Sequence, residues 1–332
     1  MTRPLRGAII GCGYFGRIQV EAWRRIQDAV IVAACDRQLE RARAAAPAAY
    51  ASPEEMIERE TLDFVDIATR PDSHLPLVKL AAARGLAIIC QKPMAPSWED
   101  AVAMAETAEA AGIRLMIHEN WRWQPWYREV GRRIEAGEIG RPLAYLMITR
   151  KRDGLGPAPY PNQPYFAEMP RLLIHETMVH HIDTARFLFR EVTSVMAMAR
   201  RVNPIIAGED QALLLLAHEN ELRGVIDGNR LADLDEEGPV MGQARFEGDD
   251  GVLTLAPAGD LFRNGQPVWR HERAPGYRGD CVLATQQHFI GCLRSGAPFE
   301  TGARAYLKTF AAVEAAYESV RAGCAVRTDK WA

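Results

Sequence analysis

Leu5-Arg6-Gly7-Ala8-Ile9-Ile10-Gly11-Cys12-Gly13-Tyr14-Phe15-Gly16 opens the chain with an apolar run that ends in Gly-x-Gly-x-x-Gly. The run has the length of a buried strand, and the glycines mark a turn from strand into helix. Gly11 permits the tight turn, Gly13 lets the main chain approach a pyrophosphate, and Gly16 lets the helix pack against the strand. A second apolar run, Val30-Ile31-Val32-Ala33-Ala34-Cys35, ends at Asp36, 20 residues after Gly16. An acid at that place accepts hydrogen bonds from both ribose hydroxyls and repels a 2′-phosphate, so the pattern favours NAD over NADP. The pyrophosphate would rest on the helix N-terminus at Tyr14 and Phe15. Arg37 could pair with a 2′-phosphate or lie over the adenine. Three glycines alone can form an unliganded turn, and methyltransferases that bind S-adenosylmethionine use a similar one. Strand, helix and spaced acid together specify a dinucleotide site.

A chain of 332 residues suits two domains. A hydrophobic fraction of 48% and a charged fraction of 25% are those of an ordinary globular protein. The formal net charge of −3 gives no electrostatic reason to expect nucleic acid or an anionic membrane as partner. The apolar runs are strand-sized, too short for a membrane span. The N-terminus enters the first strand directly, so no signal peptide is expected. Cys12, Cys35, Cys90, Cys281, Cys292 and Cys324 show no paired spacing, as expected of a reduced, cytoplasmic protein.

Up to about residue 118, apolar runs alternate with helical stretches. Leu62–Ala68, Leu86–Cys90 and Arg114–His118 read as further strands, and the alanine-rich segments Ser73–Arg84 and Ser97–Ala111 as helices, with Ser97 as N-cap and Gly112 as stop. Strands buried on both faces and separated by helices predict a parallel, doubly wound sheet. Beyond Trp121 the pattern is α+β: helices at Trp126–Ala136 and Leu172–Phe189, strands punctuated by turns such as Gly248-Asp249-Asp250-Gly251, and two closing helices near Cys281–Ser295 and Ala303–Arg321.

Ligands of such sheets bind outside the carboxyl ends of the strands. Thr69, Arg70 and His74 lie in a polar turn expected beside the nicotinamide. Gln91-Lys92-Pro93 delivers a lysine to the same edge, and Pro93, able to take the cis form, would direct the ammonium. An ammonium there can stabilise a developing alkoxide. In His175-Glu176-Thr177-Met178-Val179-His180-His181-Ile182-Asp183, a step of about 100° per residue gathers Glu176, His180 and Asp183 on one helix face. A histidine flanked by two carboxylates fits a general base. The same three could hold a metal, but no cysteine or further spaced histidine completes a shell, and His175 and His180 do not share a face. No metal is expected.

Together these positions resemble the glucose–fructose oxidoreductase/inositol dehydrogenase/MocA (Gfo/Idh/MocA) family. The resemblance spans nearly the whole chain and rests on the three glycines, Asp36, the Thr69–His74 turn, Lys92-Pro93 and the Glu176-x-x-x-His180-x-x-Asp183 helix. It implies an N-terminal Rossmann domain over 1–120, an α/β doubly wound parallel sheet binding NAD(P) through Gly11, Gly13, Tyr14, Phe15, Gly16, Asp36, Arg37, Thr69, Arg70, His74, Gln91 and Lys92. It implies a C-terminal α+β domain over 121–332, with a large, mostly antiparallel open sheet whose face commonly forms homodimers or homotetramers. The family's catalytic lysine and histidine fall on Lys92 and His180. Gln91 stands where the family has glutamate, Glu176 where it has aspartate, and Met178 where it has a small residue.

Gln91-Lys92-Pro93, His118-Glu119-Asn120-x-Arg122, Gln163-Pro164-Tyr165 and Gly208-Glu209-Asp210 are similar to the branch containing D-apiose dehydrogenase. The resemblance implies an NAD-dependent dehydrogenase that oxidises an aldose at its anomeric carbon to a lactone. Lys92, His180 and Glu176 would be catalytic, and Asn120, Arg122, Tyr165, His181 and Asp183 would contact the sugar. A cyclitol dehydrogenase, a redox-assisted glycoside-processing enzyme and a non-catalytic NAD-binding sensor remain as alternatives.

Overall fold

The computed structural model describes residues 3–234 and 238–331. The chain divides into two units, one built from the residues up to Asn120 with Asp280–Leu307, the other from Trp121–Gly279 with the residues from Lys308 onward. Asp280–Leu307 therefore belongs with the glycine-turn unit, although it follows the second unit in sequence.

The first unit runs β1 (Leu5–Ile10), α1 (Tyr14–Trp23), β2 (Ala29–Cys35), α2 (Leu39–Ala45), β3 (Ala48–Tyr50), α3 (Pro53–Arg59), β4 (Phe64–Ile67), α4 (His74–Ala82), β5 (Ala87–Gln91), α5 (Trp98–Ala110) and β6 (Leu115–His118). The strands form one parallel sheet in the order β3-β2-β1-β4-β5-β6. The order reverses between β1 and β4, which opens a crevice at their carboxyl ends. Every residue of β4 is buried, as a strand covered on both faces requires. Ser97 caps α5 by accepting from the Asp100 N–H at 3.1 Å, and Gly112 takes the left-handed conformation that ends it, with φ +64°. β3 was not anticipated: Ala48-Ala49-Tyr50 is short and lacks the β-branched residues that mark a strand. Trp23, Phe64 and Phe289 pack ring against ring in the core, with centroids 5.0 to 6.5 Å apart.

The second unit contains α6 (Pro125–Glu135), β7 (Pro142–Arg150), α7 (Val179–Phe189), β8 (Val192–Arg200), β9 (Gln211–His218), β10 (Arg223–Asn229), β11 (Gly242–Gly248), β12 (Gly251–Leu255), β13 (Leu261–Arg263) and β14 (Gln266–Trp269). α8 (Tyr277–Ser295) and α9 (Ala303–Ala322) run across the division of the chain, and β15 (Val326–Arg327) ends the second unit. Its nine strands lie in the order β14-β13-β12-β11-β7-β10-β9-β8-β15, antiparallel except where β10 runs beside β7. Alternation is clear in β9, where Ala212, Leu214 and Leu216 are buried while Leu213 and Leu215 are exposed. On the covered face Met178 reaches β10: a side chain at Gly228 would lie 2.8 Å from its Sδ. The bulky Met178 is thus accommodated by the absence of a side chain at Gly228.

The helix expected over Leu172–Phe189 is two structures. Leu173–Met178 is π-helical, and α7 begins only at Val179. The wider π turn replaces the 100° step through Glu176, and the ordinary helical step begins only at Val179.

Candidate active site

In the first unit the candidate residues fall at the carboxyl ends of neighbouring strands: Gly11 after β1, Asp36 after β2, Thr69 after β4, Lys92 after β5 and Asn120 after β6. The three glycines have distinct physical reasons. Gly11 has φ +97°, and a Cβ there would lie 2.8 Å from the Ala68 main chain. A Cβ on Gly16 would lie 2.1 Å from the Gly11 carbonyl oxygen. A Cβ on Gly13 would meet nothing within 4 Å, so open space lies ahead of α1. No side chain caps that helix and no acid sits in its first turn, which suits it to an anion. Asp36 accepts from the Cys12 N–H and the Gln38 N–H, both at 2.8 Å, so its carboxylate is held against the glycine turn. Arg37 beside it is exposed. These features fit a dinucleotide. Gln91 fits a further polar contact: its Oε1 accepts from the Lys92 N–H at 2.8 Å, while its Nε2 is buried with no acceptor. Lys92 is half-buried, and its peptide bond to Pro93 is cis.

His74 opens α4. It is wholly buried, with Nδ1 3.0 Å from the Met94 carbonyl and Nε2 3.1 Å from that of Thr69. Burial lowers its pKa despite the pull of those carbonyls. The ring ties the turn after β4 to the turn after β5 and braces Thr69. Ser73 Oγ also donates to Thr69 Oγ1 at 2.7 Å, while Arg70 is exposed. Asn120 donates to Cys281 Sγ at 3.0 Å, and its Oδ1 is buried with no donor. Phe15 meets His118 edge-on at 6.1 Å.

In the second unit the His180 ring stacks on Trp121, with centroids 4.7 Å apart and planes 7° from parallel. His181 leans on the same indole at 4.6 Å, and burial drives its pKa down to about 3, so it stays neutral. Glu176 accepts from Thr177 Oγ1 at 2.8 Å and lies 3.9 Å from the Arg230 guanidinium. Asp183 is fully buried and takes both arms of Arg122, at 2.7 and 2.8 Å, and the Thr309 hydroxyl at 2.9 Å. Arg122 and Asp183, both expected as sugar contacts, hold each other and pin α7 to the turn at Trp121–Trp123. Tyr165 is half-buried and accepts from Gln163 Nε2 at 3.1 Å. Trp121, Thr177, Arg230 and Asp153 escaped the sequence reading; of these, only Trp121 was signalled, by its place beside the polar His118–Asn120 segment. Among the described residues no group of three or more His, Cys, Asp or Glu is placed to hold a metal ion, and no helix is long and apolar enough to cross a membrane.

Residues 5–119 match the oxidoreductase family with an NAD-binding Rossmann fold, and residues 127–254 match the GFO/IDH/MocA C-terminal domain. D-apiose dehydrogenase of Paraburkholderia graminis is 40% identical, over 97% of this chain and 89% of its own. D-apiose dehydrogenase of Rhizobium rhizogenes is 37% identical over 96% of each chain. The crystal structure of an oxidoreductase from Agrobacterium radiobacter in complex with NAD+, L-tartaric acid and magnesium superposes with a TM-score of 0.90, at 36% identity over 99% of both chains. With the glycine turn, Asp36 and the two sheets in place, the chain belongs to the Gfo/Idh/MocA family of NAD-binding oxidoreductases.

Proposed function

We propose that the protein oxidises a free aldose at its anomeric carbon to a lactone, with NAD as the acceptor. The observation that carries this reading is the row at the strand ends: glycine turn, Asp36, Thr69 and a lysine after β5 along one sheet edge. The two D-apiose dehydrogenases, alike over nearly the whole chain, support the choice of sugar class.

The glycine turn and Asp36 would hold NAD, which supplies the hydride acceptor. His180 takes the proton of the anomeric hydroxyl, its ring direction set by Trp121. Glu176 supports the charge that His180 gains. Lys92 offsets the negative charge growing on the sugar oxygen. Asn120 and Gln91 each carry a buried polar atom with no partner, and both suit a polyhydroxylated ligand.

The test is NADH formation with a panel of free aldoses, D-apiose among them, together with cyclitols and glycosides, and detection of the lactone. Lys92→Ala and His180→Ala are expected to lower kcat by about 10²–10⁴-fold while NAD affinity changes little. NADH from a cyclitol or loss of a leaving group from a glycoside, with free aldoses silent, would overturn the aldose reading.

A second copy of the chain is the proposed partner. On the uncovered sheet face Met196 pairs with Leu215 and Met198 with Leu213 in adjacent strands, all four exposed, with exposed Leu146 in β7. An apolar band of this kind fits a self-complementary interface. Light scattering of Met198→Glu/Leu215→Glu should show a smaller particle than wild type; an unchanged mass would refute this interface.

A further inference from the structure

Arg230, just past the end of β10, is a buried arginine that the expected chemistry does not use. Its Nε and Nη2 donate to the two carboxylate oxygens of Asp153, both at 2.6 Å. Its Nη1 donates to Thr177 Oγ1 at 3.0 Å, and Thr177 Oγ1 donates to Glu176 Oε2 at 2.8 Å. The guanidinium carbon lies 5.1 Å from the Tyr160 ring centroid and 5.9 Å from that of Phe166, which leaves it little freedom. A side chain at Gly154 would come within 2.9 Å of Arg230 Cβ and of the Tyr160 hydroxyl, so the loop closes tightly over the arginine.

The donor inventory gives this chain one direction. A guanidinium has donors only, so Thr177 must receive the Arg230 bond on a lone pair. The single hydroxyl proton of Thr177 then points to Glu176, and Glu176 Oε2 is held as an acceptor. The ionisation of the members agrees. Burial opposes the Asp153 charge, yet the Arg230 bonds and the nearby Lys151 hold its carboxyl below the usual range. Burial likewise opposes the Arg230 charge, and Asp153 and Glu176 outweigh it.

We propose that Arg230, anchored by Asp153 and acting through Thr177, is a positioning residue that fixes the Glu176 carboxylate for its work with His180. The proposal rests on the reading of Glu176 and His180 as catalytic. It also explains how this chain works with glutamate where its family has aspartate. Glutamate brings one more rotatable bond, and the Arg230–Thr177 link removes that freedom.

A double-mutant cycle with the aldose that gives NADH tests it. Arg230→Met and Thr177→Val should each lower kcat about 10–100-fold with KM within about threefold of wild type. Combined with Glu176→Gln, either should cost no further activity, because both act through that carboxylate. Arg230→Lys should recover part of the loss, and Tyr160→Phe should leave kcat unchanged. Losses that multiply in the double variant, or a raised KM with kcat intact, would overturn the proposal. Thr177→Val keeps the Arg230–Asp153 brace and decides the matter should Arg230→Met not fold. Wild-type turnover in Glu176→Gln and His180→Ala would defeat the functional reading instead. The crystal structure of Arg230→Met needs no turnover: Glu176 should leave its present rotamer, and an unmoved carboxylate would overturn the inference.

Discussion

The His180 imidazole lies flat on the Trp121 indole, 4.7 Å between centroids and 7° from parallel, and His181 packs on the same ring. An aromatic pair of this kind contributes about 0.5–1.5 kcal/mol beyond the area it buries. Its larger effect is directional, because a stacked imidazole can turn only in its own plane.

Replacing the indole therefore separates orientation from bulk. Trp121→Phe keeps a ring and should retain most of the turnover. Trp121→Leu fills much of the space without a flat face and should lower kcat about tenfold, equivalent to ~1.4 kcal/mol on the barrier. Steady-state kinetics and melting temperature measured together check this. Equal kcat for the two variants at equal stability would show that the stacking does not orient the base.

What could be read in advance was whatever local pattern dictates. Parallel strands buried on both faces must be apolar runs, and a chain approaching a pyrophosphate must have glycine where Gly11, Gly13 and Gly16 stand. The strand ends holding Asp36, Lys92 and Asn120 were legible for that reason. Pairings across long separations were not. Arg230 meets Asp153 from 77 positions away and Thr177 from 53. Arg122 and Asp183, 61 apart, each had the chemistry of a sugar contact, and only folding shows that they satisfy one another. The π turn at Leu173–Met178 has no signature in side-chain periodicity, so it was not legible in advance.

Asp36 is held by two main-chain N–H groups at the mouth of the glycine turn. A 2′-phosphate about 5 Å from that charge would be repelled by on the order of 3 kcal/mol at an effective dielectric constant of about 20. Asp36→Asn should therefore lower the preference for NAD over NADP by about 100-fold, with exposed Arg37 free to meet the added phosphate. Isothermal titration with both cofactors reads the ratio directly. An unchanged ratio in a folded variant would mean that the charge of Asp36 does not select the cofactor.

Asp66 lies fully buried in β4, accepting from Trp23 Nε1 at 2.7 Å and Gln19 Nε2 at 3.0 Å. Burial outweighs those two donors and raises its pKa from 3.8 to about 7. In the unfolded chain the same acid ionises near 3.8, so folding takes up a proton between these limits. Stability is then greatest at the acid end of the window and falls as pH rises, by up to about 1.4 kcal/mol per pH unit, levelling off above about 7. Asp66→Asn removes this proton uptake. Its amide can still accept from Trp23, and it can donate to Gln19 Oε1, now buried with no donor, once the Gln19 amide turns over. The variant should melt several degrees above wild type at pH 8, with the gap narrowing towards pH 5. Melting curves across that range decide it: parallel profiles for the two proteins would show that Asp66 does not titrate in the window.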